Sequence, residues 1–162
     1  MAKLDLDAIQ AKVASLSGIA DPDALSRLKM GAVFEIADDL VPFPHDKNRT
    51  WHEMRRVIVV QADSLLGPVE PRTVMVVPCS ASQNDVRRGD YVLPKDEPGF
   101  TRPHVVAYAT LVMPILKSAL TLDGYRGQLT DETLAQLRAR IAQNLGLGVM
   151  LEIPPRTQAQ GT

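Results

Sequence analysis

Two runs rich in β-branched residues, Arg56–Gln61 (RVIVVQ) and Thr73–Val77 (TVMVV), constrain this chain more than any other feature. Continuous apolar runs of this length read as strands buried on both faces, at the centre of a sheet. Gly67-Pro68 and Pro71 place a turn between them. Further short strands are predicted at Ala32–Ile36 (AVFEI), Asp90–Leu93 (DYVL) and His104–Ala109 (HVVAYA). The last two are separated by the turn-rich KDEPGF. Leu111–Leu120 reads as a strand end running into a helical turn at Pro114.

Helical patterns flank this β region. Leu6, Ile9, Val13 and Leu16 share one helical face over residues 4–17, and Gly18 stops that helix. Asp21-Pro22 opens a short second helix through Leu28, with proline in the first turn where its missing N–H costs little. Thr130 or Asp131 caps a third, with Leu134, Leu137, Ile141 and Leu145 as its core face and Gly146 past its end. VMLEIPP is read as an edge strand and RTQAQGT as a polar tail. Short strands with closely spaced turns and helices at both ends predict a mainly β (α+β) domain, a small antiparallel barrel rather than βαβ units. The division expected is a helical extension over 1–30, a barrel with C-terminal helix over 31–153, and a tail over 154–162.

One cysteine, Cys79, permits no intrachain disulfide and fits a reducing cytoplasm; buried filler is its expected state. The N-terminus lacks the apolar run of a signal peptide, and no stretch approaches the ~20 apolar residues of a membrane span. The formal net charge of -1 is not that of a bulk nucleic-acid binder. Positive charge is gathered locally instead, at Lys47, Arg49, Arg55 and Arg56, and again at Arg87-Arg88. Neither a G-x-S-x-G elbow, a P-loop, a dinucleotide fingerprint nor H-E-x-x-H occurs. His45-Asp46 and His52-Glu53 recur seven residues apart without diagnostic ligand spacing, so no metal site is predicted.

From MRRVIVVQAD onward the chain resembles the MazF/PemK family of toxins from toxin–antitoxin pairs. Many members read R-P-V-x-V-x-Q-x-D; here Arg55, Val57, Val59, Gln61 and Asp63 match, and Arg56 replaces the proline. A second family strand, T-V-x-V-x-P-x-T-S, corresponds to TVMVVPCSAS, with Thr73, Val74, Val76, Pro78 and Ser80 in register. Gly99-Phe100, the HVVAYA strand, Lys117, then Gly127, Leu129, Thr130 and NLGL follow in family order. The likeness runs from about Gly31 to Leu147.

The resemblance implies an SH3-like barrel, usually a homodimer, that cuts single-stranded RNA without metal or other cofactor and is held in check by a cognate antitoxin. In this chemistry the 2′-hydroxyl attacks the adjacent phosphate, leaving a 2′,3′-cyclic phosphate and a 5′-hydroxyl. Arg55 falls at the place of the family's catalytic arginine, whose planar donors match phosphate oxygens. Ser80 falls at that of a catalytic threonine. Some members carry an acidic residue in the later strand, where this chain has Ala107, Tyr108 and Ala109. His52, three residues before Arg55, is the local substitute as general base. Arg56, Arg49, Trp51, Arg87 and Arg88 are the expected RNA contacts. Trp51 either stacks a base or closes the barrel mouth, and Arg87-Arg88 is either a solvated turn or a backbone contact. The alternative is a non-enzymatic growth inhibitor on the same barrel, resembling the gyrase-poisoning CcdB toxins. The missing acidic residue and near-neutral charge favour that alternative.

Overall fold

The computed structural model describes residues 21–41, 52–66, 72–81 and 86–147. The helix expected over 4–17, the edge strand VMLEIPP and the polar tail lie outside the described residues. Among the described residues no helix is long and apolar enough to cross a membrane.

A short helix α1 (Pro22–Ser26) comes first. Seven strands follow: β1 (Ala32–Ala37), β2 (Met54–Val59), β3 (Thr73–Ser80), β4 (Tyr91–Val92), β5 (Val106–Ala107), β6 (Met113–Leu116) and β7 (Tyr125–Gln128). Helix α2 (Asp131–Asn144) ends the described chain. The sheet runs β4-β5-β3-β2-β1-β7, with β6 also on β3, and every pairing is antiparallel. Strand β3 is the pivot. Its first half pairs β6 (Val74 opposite Ile115), its end pairs β5 (Ser80 opposite Val106), and its other edge pairs β2. One strand divided between two neighbours curls the sheet into a half-barrel.

The two β-branched runs are buried on both faces, as expected of central strands. Val57, Val59, Val74 and Val76 face a core with Phe34, Ile36, Met113 and Ile115, which Ala24 and Leu28 from the α1 region join. Ile58 and Val77 face a second core with Val33, Leu93, Ala107, Leu129 and Leu137. Each such side chain withdrawn from water contributes roughly 1.5–3 kcal/mol. Two cores on one sheet leave β2 and β3 little freedom to move.

Two expectations are corrected, and one strand is new. Pro114 lies within β6 and not in a helical turn; it sits exposed in an edge strand, where a missing N–H is tolerated. The turn comes three residues later, at the 3₁₀ helix Lys117–Ala119. Leu145 is 64% exposed and does not join the core face; it is the C-cap of α2, past the last helical residue. Residues 125–128 form a strand that no apolar alternation announces. Helix α2 starts as expected: the Thr130 hydroxyl accepts the Thr133 N–H, and Gly146 takes a φ of 74° past the end.

Candidate active site

The structure brings together some of the residues expected at the site and leaves others apart. Arg55, Ser80, His52 and Arg56 all line one cavity of about 370 Å³, at the ends of β2 and β3. Arg87 and Arg88 are exposed in the turn before β4 and do not line it. Arg49 and Trp51 lie outside the described residues.

The cavity opens where β2 and β3 part. Their ladder runs from Val59 opposite Val76 to Val57 opposite Pro78 and then ends. The same register carried two residues further would set Arg55 opposite Ser80. No such pair forms, and residues of both strands line the cavity there. Consecutive strand residues point to opposite faces, yet Arg55 and Arg56 both line the cavity.

Arg55 is buried, at 8% exposed, and its guanidinium is held from two sides. Nε donates to Oδ1 of Asp38, and Nη1 donates to the Cys79 carbonyl at 3.1 Å. Asp38, only 1% exposed, opens a 3₁₀ turn (Asp38–Leu40) directly after β1. Its Oδ2 accepts the His52 backbone N–H at 3.1 Å. One buried carboxylate therefore ties the arginine and the entry of His52 into β2 together. The Cys79 bond brings the same arginine against the residue before Ser80. His52 is exposed at the cavity rim, and Ser80 is half-buried within the wall.

The other wall is formed by Glu35, Arg56 and Phe100, with the exposed Arg102 also lining the cavity. Arg56 Nε stands 3.7 Å from Glu35 Oε1, and its Cζ lies 5.6 Å from the Phe100 ring centroid. Arg126 on β7 donates from Nε at 2.8 Å, and from Nη2, to Glu35 Oε2. Phe100 is presented by Gly99, whose φ of 86° suits glycine. The turn before it is anchored by the buried Glu97. That carboxylate accepts the Thr130 N–H at 2.6 Å and the Thr133 hydroxyl at 2.6 Å, at the positive end of α2.

Cys79 also lines the cavity but is buried, and its thiol is pushed far up by desolvation, against the pull of Arg55 and Arg56. This matches buried filler. Two residues of the strand motif serve structure. Gln61 accepts the Met75 N–H and donates to the Leu65 carbonyl, and Asp63 accepts the Met30 N–H. Asp38, Glu35, Phe100 and Arg102 were not singled out by sequence as site residues. A carboxylate at Glu35 inside the apolar AVFEI run was one available signal, and Phe100 in the Gly99-Phe100 pair was another.

A curled antiparallel half-barrel with a C-terminal helix, carrying a cationic cavity at the parting of its central strands, defines the class of protein. No protein-family model matches the chain, and no curated protein is significantly similar to it. Solved structures are. A mycobacterial endoribonuclease in complex with its cognate antitoxin aligns over 75% of this chain and 95% of its own, with a TM-score of 0.53 and 16% identity. The Mycobacterium tuberculosis toxin MazF-mt6 aligns over 72% and 97%, with a TM-score of 0.52 and 12% identity. The MazE-MazF structure from Deinococcus radiodurans aligns over 75% and 97%, with a TM-score of 0.53 and 14% identity. The fold is that of the MazF toxins.

Proposed function

We propose that this chain is the toxin of a toxin–antitoxin pair, a cytoplasmic endoribonuclease that cleaves single-stranded RNA, messenger RNA included, without a metal. The observation that carries this reading is the gathering of Arg55, Ser80 and His52 around one cavity, with the Arg55 guanidinium fixed from both sides. Preorganised donors of this kind stabilise charge that develops on a phosphate during reaction. The 2′-hydroxyl oxygen attacks phosphorus and the bond to the 5′-oxygen breaks. Arg55 and the Ser80 hydroxyl hold the non-bridging oxygens. His52 takes the 2′-hydroxyl proton and returns one to the leaving oxygen.

The similar structure named as an endoribonuclease in complex with its cognate antitoxin supports an RNA-cleaving activity and an antitoxin partner. In this reading residues 31–153 form the toxin body, residues 1–30 a helical extension and 154–162 a tail, and the active form is a homodimer that inhibits growth. The test is incubation of the full chain with single-stranded RNA in excess chelator. Fragments ending in 2′,3′-cyclic phosphate are expected from the parent, and none from Arg55→Ala with an unchanged circular dichroism spectrum. RNA left intact by the parent would return the chain to the class of protein-binding inhibitors.

A further inference from the structure

Cleavage as proposed uses only one part of the cavity. Its volume of about 370 Å³ lies in the range of pockets that enclose a whole small molecule, roughly 300–1,000 Å³. The wall of Glu35, Arg56 and Phe100 also lines it, and cleavage as proposed gives these residues no part.

We infer that this wall is a nucleobase subsite, and that it selects a base bearing an exocyclic amino group. The inference rests on the endoribonuclease reading and gives it a substrate preference. The observations that carry it are the geometry of three side chains. Phe100 and the Arg56 guanidinium lie one over the other, with 5.6 Å from Cζ to the ring centroid. Aromatic rings and arginine planes are the surfaces on which unpaired bases stack. Arg56 is 22% exposed, so this platform is open to a ligand.

Glu35 supplies the discrimination. An ionised carboxylate only accepts hydrogen bonds. Arg126 occupies Oε2, whereas Arg56 approaches Oε1 only to 3.7 Å, beyond hydrogen-bond reach. Oε1 therefore keeps acceptor capacity. Cytosine, adenine and guanine each offer an amino N–H on the Watson–Crick edge. Uracil offers two carbonyl oxygens around a single N–H and meets the carboxylate with like partial charges. Arg126 acts here as a positioning residue, holding the carboxylate without lining the cavity.

The test uses the full chain and an RNA oligonucleotide whose cut site, first mapped with the parent enzyme, carries a 2′-deoxy nucleotide and cannot react. Versions differing only in the base on either side of that site are compared by fluorescence anisotropy. At one of the two positions the parent is expected to bind the three amino-bearing bases about tenfold more tightly than uracil. Glu35→Gln, whose carboxamide both donates and accepts, reduces that ratio to about twofold. Phe100→Leu weakens all versions roughly tenfold and leaves the ratio intact. A ratio is insensitive to the folded fraction, so partial destabilisation does not mimic the result. Arg55→Ala stops cleavage of the reactive RNA and keeps the preference. If the parent cuts RNA yet shows no preference against uracil, or Glu35→Gln retains the full preference, the subsite is overturned and the nuclease stands. If RNA is neither cut nor bound, both fall.

Discussion

Arg55 and Asp38 join through guanidinium Nε and carboxylate Oδ1, seventeen residues apart in sequence and both withdrawn from water. A buried ion pair adds little over a well-packed apolar pair, but breaking it strands an uncompensated charge, at about 3–5 kcal/mol. Asp38→Asn is therefore expected to lower unfolding stability by that amount, read from urea denaturation. Replacing both partners, Arg55→Met with Asp38→Leu, is expected to recover most of the loss. A double-variant loss equal to the sum of the two single-variant losses would show that the pair contributes nothing beyond its separate residues.

Arg55→Lys tests the geometry of the same contact. A lysine ammonium is a point charge without the planar fork that spans Asp38 and the Cys79 carbonyl at once. Cleavage is expected to fall by about 10²–10³, the usual cost of removing one preorganised donor. A lysine variant with parental turnover would show that charge alone suffices.

The Cys79 thiol is pushed up by burial, so at neutral pH it stays protonated, and the protonated form is not the nucleophile. Native protein is expected to resist iodoacetamide, with modification following unfolding in urea. Rapid labelling of folded protein, measured by mass spectrometry, would contradict the buried placement.

Glu97 joins the turn bearing Phe100 to the start of α2 through Thr130 and Thr133. Glu97→Ala leaves the buried Thr133 hydroxyl without that acceptor, and a loss of about 1–3 kcal/mol is expected in thermal or urea unfolding.

The Asp21 carboxyl is held below its usual value, chiefly by the Leu122 N–H and also by the Asp23 N–H, against desolvation that raises it. A depressed value means that the folded protein binds fewer protons than the unfolded chain. The stabilisation is complete above the ordinary aspartate value of ~3.9 and is lost as pH falls through the lower folded value. Asn caps helices about as well as Asp. Parent and Asp21→Asn should therefore converge in stability at low pH, separate as pH rises towards about 4 and stay apart above it, with the parent the more stable. Parallel stability curves across that range would remove the charge from the account.

Much of this fold is legible in the chain itself. The runs around Val57–Val59 and Val74–Val77 have no helical spacing and no polar face, so a central sheet was the natural outcome. Thr130 and the apolar spacing after it marked α2. Residues 125–128 were not legible, because YRGQ becomes a strand only through β1, where Gly127 meets Val33. Pro114 misled for the converse reason: propensity disfavours it in a strand, but an edge position asks for no N–H there. In the site, Arg55 and Ser80 came from a strand motif with a fixed order. Asp38 and Glu35 carry no motif, and they become site residues only when β1 lies beside β2 and β7.

The parting of β3 from β2 beyond Pro78 has a consequence for how this protein tolerates change. Extending that ladder by a single pair would bring Arg56 opposite Cys79 and zip shut the seam that holds the cavity. The position of that seam is dictated by which neighbour β3 follows at each residue, β6 along its first half and β5 at its end.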